Sequence, residues 1–270
     1  HLKKKIVIIG SGFSSISAAC YLSKSGHEVH VYEKNKTFGG RARRLIKDKF
    51  LFDMGPSWYW MPDIIDSFFN DFNKSTSDFF KLKKLNPAYQ VYFGKNDSLL
   101  IEDSLEKICK VFENLEPGSS KKLKAFIKTA EENYNIAIKD YVYKPGISPL
   151  ELVSLKTLKK IKFFISNIKK DVENKFKNQK LRQILQFPVL FLGAKPSKTP
   201  AFYNFMNYAD FGLGTWHPEK GFYTLVEAMI NLAKSQGVKF HNNSNINKII
   251  VENGKVNGVN VNSEKIYCDI

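Results

Sequence analysis

Ile6-Val7-Ile8-Ile9-Gly10-Ser11-Gly12-Phe13-Ser14-Ser15 is the stretch whose reading decides the fold. Its first four residues are an apolar, mostly β-branched run that suits a buried strand. Gly10 permits a tight turn, and Gly12 lets backbone approach a ligand with no Cβ in the way. Ile16, Ala19, Cys20 and Leu22 then recur at helical spacing until Gly26, and Glu28-Val29-His30-Val31-Tyr32 alternates as a second strand ending at Glu33. Strand, glycine turn, helix, strand and acid together form a dinucleotide-binding unit. The N–H groups of Phe13, Ser14 and Ser15, at the helix start, are expected to face a pyrophosphate. Glu33 is expected to accept ribose hydroxyls, which disfavours a 2′-phosphate. Ser15 replaces the third glycine of the usual pattern.

Working outward, Lys34 follows the acid, and Gly39-Gly40-Arg41-Ala42-Arg43 adds a second glycine step with arginines. Gly39 and Gly40 bring backbone near a phosphate, and Arg41 offers a charged fork. Phe52-Asp53-Met54-Gly55-Pro56-Ser57-Trp58-Tyr59-Trp60-Met61-Pro62 comes next. With these two motifs in view, the chain resembles the FAD-dependent amine oxidase and phytoene desaturase superfamily, and most of all the bacterial-type carotenoid desaturases. The resemblance implies an α/β fold: an FAD-binding Rossmann-like nucleotide domain carrying an inserted α+β substrate domain. It implies FAD as cofactor, with Gly10, Gly12, Phe13, Ser14, Ser15, Glu33, Lys34, Gly39, Gly40, Arg41, Gly55, Pro56, Ser57 and the backbone near Ile246 around it. It implies desaturation of phytoene or a later C40 intermediate, hence a long apolar isoprenoid substrate. A carotenoid isomerase, a hydroxycarotenoid desaturase and a retinol saturase share these features. A GDI or Rab-escort type binding module shares the nucleotide fold, but such proteins lose part of the glycine and arginine set that is intact here.

The nucleotide domain is expected over 1–62 and 238–270, and the inserted, mainly helical domain over 63–237. Within the insert, Ile64, Ile65, Phe68, Phe69 and Phe72 mark a helix after Pro62. Tyr89–Phe93 and Ser98–Ile101 are expected strands around a Gly94-Lys95-Asn96-Asp97 turn. Asp103-Ser104-Leu105-Glu106 starts a helix to about Asn114, and Ser119 opens another to about Tyr143, stopped by Pro145-Gly146. Leu155, Leu158, Ile161, Ile165, Ile168, Val172 and Phe176 read as one apolar stripe. From Glu151 to Lys180 nine lysines face three acids, and Phe163-Phe164 widens the apolar face. A continuous basic helix of this kind fits either a solvated core helix or a membrane interface. The resemblance favours the membrane, because those enzymes take an apolar substrate from the bilayer. The aromatic run Ala201 to Tyr208 suits a polyene channel and an ordinary core equally. Gly212 to Tyr223 resembles the family's W-x-P-x-G-G turn, with Lys220 where the first glycine is usual. Asn253-Gly254 is a hairpin turn between two β-branched runs.

The net charge is +16, yet only Arg41, Arg43, Arg44 and Arg182 among 42 basic side chains are arginine. No nucleic-acid motif accompanies the charge, and nucleic acid is not an expected partner. Cys20, Cys109 and Cys268 have no metal-ligand spacing and fit packing roles in a reducing compartment. No metal is expected. No apolar run is long enough to span a bilayer, and the expected location is cytoplasmic and peripheral to a membrane. The chain starts at His1 and ends in a strand-like run, so an N-terminal fragment of a longer protein is expected. No residue is assigned a proton-transfer role. Asp140 is expected to be a surface carboxylate, Asp53 a cap for the Gly55-Pro56 turn, and His217 a satisfied surface histidine.

Overall fold

The computed structural model describes residues 2–143 and 160–270. In chain order, β1 (Lys5–Ile9), α1 (Phe13–Lys24), β2 (Glu28–Tyr32), β3 (Arg44–Lys47), β4 (Phe50–Asp53) and α2 (Pro62–Asn70) come first. Then follow β5 (Leu82–Lys84), β6 (Tyr89–Gly94), β7 (Asp97–Ile101), α3 (Leu105–Leu115) and α4 (Ser119–Ile136), which runs into a π-helical turn, Ala137–Val142. Next are α5 (Ile161–Ile165), α6 (Ile168–Glu173), α7 (Gln179–Gln186) and the single turn α8 (Phe205–Asn207). The last elements are β8 (Trp216–Pro218), α9 (Tyr223–Ser235), β9 (Lys239–His241), β10 (Ile246–Glu252), β11 (Lys255–Val261) and β12 (Glu264–Tyr267).

The chain divides into two compact units. The first holds residues 1–59, 68–83 and 217–270, and the second 60–67 and 84–216. These bounds differ from the expected 63–237 insert because α9 and the segment after Ser67 pack within the first unit. Cys20 of α1 lies against the Met229 carbonyl of α9, and Ser23 donates to the Gln236 carbonyl. Tyr21 meets the rings of Phe68 and Phe72 at 5.9 and 5.1 Å.

In the first unit, β1, β2 and β9 form a parallel sheet in that order, with Val7 opposite His30 and Val31 opposite Phe240. The other edge of β1 carries the chain's last residues: Val7 N–H donates to the Ile270 carbonyl and Asp269 N–H to the Lys5 carbonyl, both at 2.9 Å. Parallel strands are covered on both faces, which explains their apolar runs. Ile16, Ala19 and Cys20 of α1 and Val29 and Val31 of β2 are fully buried. The antiparallel meander β10-β11-β12 contributes Val259 and Val261 to a cluster with Tyr32, Val7 and Ile246. Its first turn is the expected Asn253-Gly254 pair, with φ of 52° and 75°. The β3–β4 hairpin was not expected. Its turn has no glycine, and Asp48 adopts φ 54° instead. Ile46, Phe50, Leu51 and Phe52 are all exposed on it, Phe50 by 66%.

The second unit has a core of α3, α4, α6, α7 and the β6–β7 hairpin, centred on Phe112, Phe126 and Phe176. Ser104 caps α3, and Glu113 accepts from Gly118 N–H and Ser120 N–H, holding the start of α4. The expected β6, β7, α3 and α4 are therefore present. The expected aromatic run after Ala201 is core here: Phe202 stacks on Phe164 at 4.6 Å, and Tyr203 and Tyr208 pack against the main cluster.

The expected continuous stripe is broken. Ser166 is extended, and Asn167 starts α6 by accepting from Lys170 N–H at 2.9 Å. Backbone bonds from Ala201 to Ser166 and from Ile168 to Thr199 pin the break to a neighbouring strand-like segment. Ile168, Val172 and Phe176 are buried, whereas Ile165 is 80% exposed. Leu155, Leu158 and the Pro145-Gly146 stop lie outside the described residues, as does the Asp140 side chain.

Candidate functional site

The candidate site is built within the first unit, where β1 ends. Gly10 turns the chain at φ +89°, and Gly12 precedes α1 with φ −74° and ψ 173°. No side chain caps α1 and no acid stands in its first turn, so the first N–H groups, those of Phe13, Ser14 and Ser15 among them, keep their donor capacity. The space beside Gly12, where a side chain would project, is open for 4 Å. Gly39 N–H donates to the Ser11 carbonyl at 3.0 Å, and a Cβ on Gly40 would lie 3.0 Å from Gly12 Cα. A Cβ on Gly55 would fall 2.3 Å from the Arg41 carbonyl oxygen. Thus the fold brings Gly10, Gly12, Gly39, Gly40, Arg41 and Gly55 to one locus. Arg41 is exposed and has no carboxylate partner among the described residues.

Glu33 is buried at the end of β2. One carboxylate oxygen accepts from Ser11 N–H (3.1 Å) and Ser11 Oγ (2.7 Å), and the other from Asn35 N–H (2.9 Å) and Asn35 Nδ2 (2.6 Å). Burial opposes its charge, but these four donors outweigh burial and hold the carboxyl below the usual range. Ser11 and Asn35 are functional neighbours that sequence reading missed, though the Glu33/Asn35 spacing is a local turn signal. Ser244 N–H donates to the Glu33 carbonyl and Asn243 N–H to the Asn35 carbonyl, so the segment leading to Ile246 runs beside the acid. Lys34, Pro56 and Ser57 are exposed.

Asp53 does not cap the Gly55-Pro56 turn. Its carboxylate accepts from Phe222 N–H (2.6 Å) and Tyr223 N–H (3.2 Å), capping α9. The positive φ of the preceding turn belongs to Gly221 (+94°), and Lys220 has no such strain. Arg44 lies 4.4 Å over the Tyr223 ring beside this cap. His217 donates from Nδ1 to the Ser57 carbonyl at 2.9 Å, a satisfied role. An open groove of about 440 Å³ along α9 is lined by Phe38, Tyr223, Glu227 and Lys234 among others, and none of the expected site residues lines it. The cysteines are unpaired and buried, and burial pushes the Cys20 thiol up to about 12. Among the described residues there is no metal-ligand group, and no helix is long and apolar enough to cross a membrane.

A glycine turn into an uncapped helix, with a buried acid at the end of the next strand, defines a dinucleotide-binding type of fold. The chain belongs to the flavin-containing amine oxidoreductase family, whose sequence profile matches residues 14–269. Within that family it is similar to carotenoid desaturases. It is 35% identical to the carotenoid 3,4-desaturase of Haloarcula japonica, over 90% of this chain and 50% of that protein. It is 30% identical to the 4,4′-diapophytoene desaturase of Staphylococcus aureus strain Newman, over 98% of this chain and 54% of that protein. The chain therefore spans about half the length of the curated relatives it matches. The fold is shared with an oxidoreductase of Methanosarcina mazei (TM-score 0.62, 21% identity, covering 98% of this chain and 57% of that one). It is shared to a similar degree with the Rab GDI of Plasmodium falciparum (TM-score 0.60, 14% identity, covering 99% and 64%).

Proposed function

We propose that the chain is the nucleotide-binding and substrate-binding part of an FAD-dependent carotenoid desaturase acting on phytoene or a later C40 intermediate. The observation that carries the cofactor reading is the uncapped start of α1, open beside Gly12 and flanked by Gly39, Gly40 and the unpaired Arg41. These residues fit the pyrophosphate of FAD, with the backbone near Ile246 toward the adenine and Glu33 toward the ribose, where a hydroxyl would take the place of one of its Ser11 or Asn35 donors. Gly55, Pro56 and Ser57 complete the expected set, with Lys34 after the acid. When bound, the flavin supplies the two-electron acceptor for hydrogen removal from a CH–CH unit. The protein's part is to hold that cofactor and to position an apolar chain with little polar recognition. The GDI reading shares the fold, but the intact glycines and Arg41 favour cofactor retention. Similarity to two carotenoid desaturases supports the substrate class.

The direct test is expression of the complete polypeptide in cells that accumulate phytoene. New long-wavelength absorption in the extracted pigment is the expected result, and its position counts the conjugated double bonds. Unchanged phytoene with flavin bound would sink the phytoene assignment and move the substrate to a later carotenoid or a retinoid.

We also propose that the protein works at the cytoplasmic face of a membrane. Ile161 and Ile165 are exposed next to the exposed Lys162, apolar contact beside positive charge, whereas Lys160 is ion-paired with Glu132. Replacing both isoleucines by serine is expected to lower partitioning onto anionic vesicles about a hundredfold or more, since each buried side chain contributes about 1.5–3 kcal/mol. Unchanged sedimentation would refute this contact.

A further inference from the structure

We propose that His241 is a positioning residue: its ring, locked to His30, braces Glu33 for the ribose of the cofactor, and its protonation loosens that brace and weakens flavin binding. The cofactor in this inference rests on the FAD reading.

The parallel sheet has one apolar face and one polar face. Val29 and Val31 of β2 and Phe240 of β9 alternate with Glu28, His30 and Tyr32 on β2 and with Lys239 and His241 on β9. Both faces of a parallel sheet are normally packed with apolar side chains, so a ladder of titratable groups on one of them calls for a role. These groups engage one another. His30 Nδ1 and His241 Nε2 are 3.0 Å apart. His30 Nε2 lies 2.9 Å from Glu28 Oε1, which Lys239 Nζ also reaches at 3.3 Å. The Tyr32 ring stacks on His241 at 4.4 Å. His30 and Tyr32 are buried, and His241 is half-buried.

The backbone at His241 links this ladder to the candidate site. The His241 carbonyl accepts from Glu33 N–H at 2.8 Å. Just beyond it, Asn243 N–H and Ser244 N–H donate to the carbonyls of Asn35 and Glu33 at 3.1 and 2.9 Å. The segment that starts at His241 therefore grips both the acid and Asn35, which orients that acid.

A histidine–histidine hydrogen bond holds one hydrogen between the facing nitrogens. A second proton sets N–H against N–H, and the rings must part. Burial, then the nearby His30 and Lys239, hold the His241 pKa below 6.5. With the folded value lowered, the contribution of the neutral ring is complete above 6.5 and is lost as pH falls through the folded value. Glu28, Glu33, Tyr32 and Cys268 do not titrate in that range. The bond from His30, then Lys239, holds Glu28 down to about 2, and Glu33 lies below 4.5. Burial pushes up the Tyr32 phenol and the Cys268 thiol beside it.

The experiment measures FAD binding to the flavin-free complete polypeptide by fluorescence quenching across about pH 5–8. Wild type is expected to bind FAD more weakly as pH falls below 6.5, its dissociation constant rising by up to about tenfold per pH unit, the limit for one linked proton. By reciprocity, FAD should lower the His241 midpoint read by NMR. His241→Gln keeps an amide beside His30 but takes no proton, and is expected to flatten the pH dependence of binding. Lys239→Met removes a cation that faces His241, so the midpoint should move up toward 6.5. Wild-type binding that ignores pH, a wild-type slope in His241→Gln, or an unmoved midpoint in Lys239→Met would each overturn the assignment, even if the variants are less stable. Wild type that binds no FAD at any pH would instead defeat the flavin reading, and with it the ligand of this brace.

Discussion

Gly12→Trp is expected to abolish flavin retention while leaving the fold intact. The two effects separate because the space beside Gly12 is open and its φ of −74° suits any residue. An indole there meets no protein atom at its Cβ, but it fills the place where phosphate would meet the first N–H groups of α1. Losing two charge-assisted bonds weakens binding by about a hundredfold or more. The check is the ratio of flavin to protein absorbance after gel filtration of the complete polypeptide, beside a circular dichroism spectrum. Wild-type flavin stoichiometry would remove α1 from the cofactor site.

Glu33→Ala is expected to cost stability as well as flavin. Four donors on Ser11 and Asn35 lose their acceptor at once, and the Ser11 pair is buried. Stranding buried donors of this kind costs on the order of 3 kcal/mol, measurable as a lower urea midpoint. The same carboxylate gives a pH signature. Its pKa is lowered in the folded protein from 4.5, so its contribution is complete above that value and is lost as pH falls through the folded value. The variant should therefore lose less stability than wild type on acidification below about pH 4.5. Parallel losses in the two proteins would show that Glu33 is not a stabilising ion.

These effects follow from a motif that the sequence displays openly. Glycine spacing, a β-branched run and an acid at the end of the next strand define β1, α1 and β2, because each is dictated by local backbone needs. The caps at Ser104 and Gly118 and the Asn253-Gly254 turn are local in the same way, and the elements they bound are present. What the sequence hid depends on distant partners. Asp53 reads as a local turn acid, but the N–H groups it satisfies belong to Phe222 and Tyr223. The stripe from Leu155 to Phe176 keeps helical period, yet residues 199–201 bind its backbone at Ser166 and Ile168 and split it. The His30–His241 contact gave no signal, because its partners lie on strands that meet only in the fold. The unexpected β3–β4 hairpin turns through Asp48, a residue that tolerates a positive φ without announcing a turn.

The order of strands in the parallel sheet has a consequence for biogenesis. β1 and β2 leave the ribosome first, but His30 must wait for His241, 211 residues later, and Lys5 for Asp269, 264 residues later. At bacterial-to-eukaryotic elongation rates that delay is about 10–50 s. Residues 84–216, most of the second unit, are contiguous and can close during the wait. The nascent nucleotide strands meanwhile present unpaired, β-branched edges, the kind of surface that chaperones hold and that aggregates when they do not. Yield in a heterologous host should therefore respond more to holdase supply and slowed translation than to changes in the second unit's core.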